Sequence, residues 1–228
     1  MLLLLLARGA AAGELPRAMH AVYEVSSSGN TIAKTTWQLT TETDGSRLFR
    51  ATTESVGLFK LIKSETVSES SRWQVRDGKL WPTHYTHVRQ GGKRDRDIAA
   101  DYDYQRMQVL HRYGDDRWET PIDGHTLDSL SYLVALARGL NSGQRSFDFN
   151  VVEAQKRKVY HFEVAGTESV GTPVATYRTV VVNRIDMRDN RSMTLWCAEA
   201  LGYLPVKIVH QESEGYELQF LLSELQLR

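Results

Sequence analysis

In a chain whose apolar residues otherwise tend to alternate, one stretch repeats them at helical spacing: Thr126 to Leu140, TLDSLSYLVALARGL. Leu127, Leu130, Val134 and Ala137 fall on one face of a helix, and Leu133, Leu136 and Leu140 on another. A helix that is apolar nearly all the way round must be covered by something large. The rest of the chain offers only strands to do so. The spacing predicts one helix over 126–140, with Thr126 as N-cap and Asp128 in the first turn, where a carboxylate favours the helix dipole. Gly139 and the pair Ser142-Gly143 read as its end. Asp128 with Ser131 reads as capping and backbone hydrogen bonding, not as chemistry.

The flanking segments carry strand and hairpin punctuation. His20 to Val25 is followed by a turn over Ser26 to Asn30, where Gly29 and Asn30 can take positive φ. Thr31 to Thr43 and a run beyond Asp44-Gly45 to about Val56 have the β-branched bias of half-buried strands. Gly57 to Ile62 interrupts the alternation and reads as an apolar loop or helical turn lidding one end of a sheet. Ser64 to Arg76 leads through Asp77-Gly78, a strong hairpin signal, into Lys79 to His87, where Pro82 marks an edge, bulge or strand start. Gln90 to Lys93 turns the chain, Asp97 to Arg106 and Gln108 to Tyr113 form a further pair, and Gly114 to His125 reads as turn-rich. After the helix come Phe147–Val151, Val159–Val164, Thr176–Asn183, Ser192–Cys197, Leu204–His210 and Tyr216–Leu227. Gly166, Gly171, Asp189-Asn190, Gly202 and Gly215 punctuate them. The sum is about a dozen antiparallel strands with one inserted helix. No linker or composition shift divides them, so residues 13–228 read as one domain. The expected fold is mainly β: a strongly curved antiparallel sheet, an incomplete barrel, wrapped around one central α-helix.

Residues 1–12 resemble the back half of a signal peptide, with Leu2 to Leu6 as the apolar core and Ala10 to Ala12 as an A-x-A site, although a basic n-region is missing. The apolar run is too short to span a bilayer, which needs about 20 residues. No Cys follows the small residues, so a lipid-anchored lipoprotein is not supported. A mature chain starting near Gly13, exported to the periplasm, is expected.

Composition removes several function classes. Lys and Arg number 28 against 28 Asp and Glu, which leaves no electrostatic case for nucleic acid or an anionic membrane surface as the main partner. The single Cys197 cannot form an internal disulfide and reads as a small buried hydrophobe. His84 and His87, three apart on a strand, point to opposite faces and cannot share a metal. His161 with Glu163, and Asp101 with Asp103, do share a strand face, as metal-holding or proton-trading pairs must; alternation on a wet face explains both pairs without a site. Ser129 and Ser131 lack the glycine-flanked elbow of a hydrolase nucleophile, and there is no phosphate-binding loop or dinucleotide fingerprint. The five Trp and ten Tyr read first as core packing. No catalytic residue, metal ligand or cofactor is expected.

Asp128-Ser129-Leu130-Ser131-Tyr132-Leu133, Tyr160-His161-Phe162-Glu163-Val164, and Trp196 followed by Pro205-Val206-Lys207-Ile208 are ordered landmarks. In them the chain resembles the bacterial domain of unknown function 3108 family. The resemblance implies a periplasmic, incomplete barrel similar in shape to the lipoprotein carriers that shield acyl chains; the family carries no assigned chemistry. The leading expectation is therefore a non-enzymatic carrier holding a hydrophobic ligand, a lipid or a lipoprotein acyl chain, in a groove between sheet and helix lined by Leu130, Leu133, Leu136, Leu140 and Trp196. The alternatives are an envelope scaffold that binds a partner on a sheet face or edge and a metal-dependent hydrolase built on His161, Glu163 or the Asp101/Asp103 pair.

Overall fold

Short turns hand each strand to its neighbour, so sequence order becomes spatial order through most of the molecule. A computed structural model describes residues 16, 18–62, 64–92, 95–154, 156–185, 191–212 and 215–228. The signal-like segment 1–12, Lys93 and the Asp189-Asn190 connector lie outside these. The first half holds β1 (Met19–Ser27), β2 (Asn30–Thr41), β3 (Arg47–Ser55), helix α1 (Gly57–Ile62), β4 (Thr66–Arg76), β5 (Lys79–Gln90), β6 (Arg96–Asp103), β7 (Gln108–Tyr113) and β8 (Asp116–Pro121). After them come the two-residue β9 (Leu127–Asp128), helix α2 (Ser131–Asn141), β10 (Ser146–Glu153), β11 (Lys156–Gly171), β12 (Thr176–Arg184), β13 (Ser192–Ala198), β14 (Leu204–Gln211) and β15 (Glu217–Leu227).

All fifteen strands form one curved, unclosed sheet in the order β8-β7-β6-β5-β4-β3-β2-β1-β15-β14-β13-β12-β11-β10-β9. Its pairings are antiparallel except β9 with β10. The first and last strands lie side by side mid-sheet, and β8 and β9 are the two edges. These edges do not ladder with each other. The seam is bridged instead by side chains: Ala100, Val109, Ile122 and Val152 pack as a small separate core, Tyr102 donates to the Leu127 carbonyl at 3.2 Å, and Arg157 pairs with Asp123 at 3.0 Å.

The turns follow their chemistry. Asp77 and Gly78 both take positive φ, 49° and 72°, as the two-residue hairpin requires. In the first hairpin the positive pair is Ser28-Gly29 rather than Gly29-Asn30. Asn30 instead begins β2, with its side-chain amide bonded to the Ser28 carbonyl. The segment read as turn from 114 to 125 contains edge strand β8, whose polar sequence, DRWETP, hides it. Gly166 lies within β11 beside a register shift instead of ending it.

The sheet register gives the molecule two ends. Ser27 pairs with Asn30, Glu54 with Thr66, Thr66 with Gln90, Arg89 with Arg96, Glu153 with Lys156, and Gln211 with both Ser192 and Glu217. These strand termini, with α1 between β3 and β4, form one rim, here called upper.

Among the described residues two α-helices are present where one is expected, and the longer starts later. Residues 127–128 are strand, because Leu127 and Asp128 pair with Val151 and Val152, and the first helical residue is Ser131, preceded by Leu130 as N-cap. The inward face of α2, Leu133, Val134, Leu136 and Leu140, shares its core with Tyr23, Trp37, Phe49, Trp73, Phe147, Phe162, Leu195 and Leu222. Cys197 lies in the same core at 1% exposure, and burial pushes its thiol pKa up.

Gly139 does not end α2, which continues to Asn141. Its missing side chain is needed because a Cβ there would lie 2.5 Å from the Phe147 ring. Alanine would gain up to about 1 kcal/mol of helix propensity, but displacing a core aromatic costs about 1–3 kcal/mol. Gly139→Ala is therefore expected to lower stability by about 1 kcal/mol, read as a lower denaturant midpoint at unchanged slope.

Candidate functional site: a polar cleft at the upper rim

Two voids of very different character lie inside the curve of the sheet. Where α2 meets the strands, among Trp37, Leu39, Phe49, Leu133 and Val134, the free space is about 10 Å³, about one water at most. Above the helix N-terminus, a cleft of about 940 Å³ opens at the upper rim. The helix fills the lower part of the curve, and the cleft is what remains.

The cleft walls come from inward positions near the strand ends. Glu69, Tyr85, His87, Ile98, Ala100, Tyr102 and His111 supply one wall, with Arg96 at the start of β6. Val152, Glu153, Lys158, Tyr160, Arg184, Met193 and His210 supply the other, with Arg191 and Glu212 just outside their strands. Ser129 and Tyr132, at the entrance to α2, contribute from below. The three acids all have partners within the protein. Glu69 accepts from the Tyr85 hydroxyl and lies 3.6 Å from His87 Nδ1. Glu153 is paired with Lys158; burial alone would raise its pKa, but hydrogen bonds from Lys158 and Tyr160 and the charge of Arg184 outweigh it and hold the carboxyl low. Glu212 lies 3.3 Å from His210 Nδ1, while His210 Nε2 is buried with no hydrogen-bond partner in the protein. The Arg184 guanidinium lies over the Tyr160 ring at 3.4 Å, a cation–π contact, and Tyr132 meets the same ring edge-on at 5.2 Å. Burial pushes Tyr85, Tyr102, Tyr104 and Tyr160 above the ordinary phenol range, so all four remain neutral donors.

Beneath the cleft sits a buried carboxylate. Asp128, at 0% exposure, accepts hydrogen bonds at Oδ1 from the Leu130 and Ser131 amides at 2.9 and 2.8 Å, and at Oδ2 from the Ser71 hydroxyl on β4 at 2.6 Å. The Ser131 hydroxyl accepts from the Asp128 amide at 2.9 Å. Leu130 has no side chain to cap α2, so Asp128 satisfies the orphan amides from two residues upstream. The capping role expected of Asp128 and Ser131 holds, while Thr126 lies outside the helix with its hydroxyl on the Gly124 carbonyl.

The residues expected to line a groove between sheet and helix are not gathered into one. Leu130, Leu133, Leu136 and Leu140 are all buried in the packed core. Trp196 stands on the opposite face of β13 from core residues Leu195 and Cys197. Its indole donates to Glu168 Oε2 at 2.7 Å, and Lys207 Nζ sits 4.4 Å from its ring. The candidate pairs are dispersed too. Asp101 is held by His84 at 2.6 Å and Arg112 at 2.9 Å, and Asp103 caps the turn at Gln105 and Arg106. His161 lines the cleft but pairs with Asp148 rather than Glu163. His84 and His87 do part company, one toward Asp101 and the other toward Glu69 and the cleft. Among the described residues no three His, Cys, Asp or Glu side chains are grouped to hold a metal, and no helix is long and apolar enough to cross a membrane.

The fold and cleft define a barrel-like open sheet with a polar mouth. The family model for a protein of unknown function, DUF3108, matches residues 22–220, and the chain belongs to that family. No curated protein matches it. Among solved structures, it is similar to a crystal structure of a β-barrel-like protein of domain of unknown function DUF1849 from Brucella abortus. That alignment has a TM-score of 0.61 at 8% identity and covers 96% of this chain and 100% of the other; at that identity the likeness is one of fold.

Asp128→Ala would leave a buried hydroxyl and two buried amides without their acceptor, a loss of about 3 kcal/mol or more. Asp128→Asn keeps the acceptor for the amides and can donate to Ser71, so it is expected to cost much less. Burial raises the Asp128 pKa above 3.8, against the lowering effect of its hydrogen bonds. The native state then binds more protons than the unfolded one, and this group's contribution to stability falls as pH rises from the ordinary carboxylate pKa through the raised one. Denaturation curves across acidic pH should show the wild type losing stability relative to Asp128→Asn over that window.

Proposed function

We propose that this chain is a non-catalytic binding protein of the bacterial cell envelope, exported to the periplasm, whose rim cleft holds an amphiphile with an anionic head, such as a phospholipid or a fatty acid. The observation that carries this reading is the contrast between about 940 Å³ at the rim and about 10 Å³ beside the helix. A hydrophobic ligand between sheet and helix has no room in this packing. The cleft has the volume of a small-molecule site.

Its lining favours an anion at the mouth. Four cations, Arg96, Lys158, Arg184 and Arg191, line the cleft against three glutamates, an excess of one positive charge. A phosphate or carboxylate head near Arg184 and Arg191 would make charge-assisted hydrogen bonds. Ile98, Ala100, Val152 and Met193, with the tyrosine rings, offer apolar contact to the remainder of the ligand.

Calorimetric titration with dodecyl phosphate, set against the uncharged dodecyl maltoside, tests the reading. Dodecyl phosphate is expected to bind and the maltoside to bind at least about tenfold more weakly. Arg184→Ala should weaken the phosphate about tenfold while leaving the thermal midpoint within a few degrees. Equal affinity for the two amphiphiles would remove the anionic head from the proposal. Absence of binding by both, together with no amphiphile retained in native mass spectra, would overturn it entirely.

A further inference from the structure

Helix α1 breaks a rule that the rest of the surface obeys. Leu58 and Leu61 are 81% and 83% exposed, well beyond every other large hydrophobic residue among those described, the next being Ile185 at 55%. Spaced i and i+3, they share one face of the helix. Phe59 between them is half-buried, and α1 packs on β2. The helix is therefore seated on the sheet with its two leucines facing solvent. Lys60 lies in its last turn, no acidic residue lies in its first, and Lys63 follows in the sequence. The nearest upstream acid, Glu54, stands opposite Lys34 in the β2–β3 register, and Glu65 is paired with Arg89.

The position of this prong matters as much as its composition. Because α1 joins the upper ends of β3 and β4, it stands on the same rim as Arg96, Arg191 and Glu212. Whatever surface α1 touches, the cleft mouth is turned toward it.

We propose that α1 is a membrane-contact prong, inserting Leu58 and Leu61 into the interfacial layer of an anionic bilayer with Lys60 at headgroup level. Two leucines offer far less area than the roughly 800 Å² per partner of a stable protein interface, which argues against a second copy or a globular partner. A bilayer requires no complementary shape, and accepts isolated apolar side chains flanked by cations. The chain's charge balance of 28 against 28 means that attraction to anionic lipid must be local, and Lys60, exposed between the two leucines in sequence, supplies it. This inference stands on α1 alone and does not require the cleft to bind an amphiphile; where both hold, docking would set the mouth against the lipid from which a ligand is taken or to which it is delivered.

The test uses the full chain carrying Leu58→Cys labelled with an environment-sensitive fluorophore. Cys197, at 1% exposure, is shielded from the reagent, and a probe at position 58 reports α1 whatever other segment binds lipid. With phosphatidylcholine vesicles containing phosphatidylglycerol, emission is expected to shift to the blue and to be quenched by lipids brominated on the acyl chain. Lys60→Glu should weaken the response severalfold on anionic vesicles, and Leu61→Asp about tenfold or more. Both positions are exposed, so unchanged circular dichroism is expected in each variant. Arg184→Ala should leave this response unchanged, which separates docking from occupancy of the cleft. An emission spectrum indifferent to vesicles overturns the proposal, as does a concentration-dependent dimer in light scattering that Leu61→Asp dissolves, since the prong would then be a protein contact.

Discussion

The buried Asp128 carboxylate holds the two halves of the sheet in relation to one another. Its backbone belongs to β9, paired with Val152 on β10; its side chain reaches Ser71 on β4 and the first amides of α2. Strands far apart in sheet order, and the helix between them, are thus joined through one side chain. A carboxylate at zero exposure survives only when its lone pairs are matched, and here the partners are two amides and a hydroxyl whose own burial would be costly without it. The dependence is mutual, as in other fully satisfied polar networks. Tyr102 and Tyr104, donating to the Leu127 and Thr126 carbonyls, extend the same junction toward the edge of the sheet.

From this junction follows the division of the interior. A sheet curved to this degree without closing leaves a space that one 11-residue helix cannot fill. Entering at Asp128, α2 descends toward Gln144 and the lower ends of the strands, with Leu133, Leu136 and Leu140 saturating the apolar face it meets. The space above its N-terminus is left to side chains at the ends of strands, where the sheet already gives way to turns. Polar and charged residues tolerate such positions because water reaches them. An unclosed barrel with a short helix thus has a dry half and a wet half by construction.

How much of this the sequence reveals depends on how local its cause is. The hairpin at Asp77-Gly78 and most strand runs are legible because turn chemistry and alternation are properties of neighbouring residues. The apolar helix is legible for the same reason, but its start is not: Leu127 and Asp128 are strand because of Val151 and Val152, more than twenty positions away. Strand β8 escapes notice because an edge strand with Trp118 as its single large apolar residue reads as loop. Gly139 looks like a terminator, and only the position of Phe147 gives its true reason. The cleft was missed for a related cause. Arg96, Arg184 and Arg191 sit where strands end, and basic residues there read as solvated turns; only sheet curvature brings them to one mouth. A faint signal lies in the alternating Tyr85 and His87, which give β5 an inward face more polar near the rim than a core would need.

The electrostatics of the cleft are the ground for proposing a ligand with an anionic head over a wholly apolar one. Burial pushes the pKa of its tyrosines further above the physiological range, and burial lowers the pKa of His111, which favours its neutral form. The permanent cations of the lining are Arg96, Arg184, Arg191 and Lys158, and each glutamate is engaged inside the protein. Glu153 illustrates the balance: Lys158 and Tyr160 bind it directly, while Arg184 lies over the Tyr160 ring. A purely hydrocarbon ligand would bury charged side chains without offering them a counter-charge, a cost that apolar contact with the tyrosines and Met193 would not offset. A ligand with an anionic head replaces that water with charge-assisted hydrogen bonds and leaves only its tail to the apolar lining below.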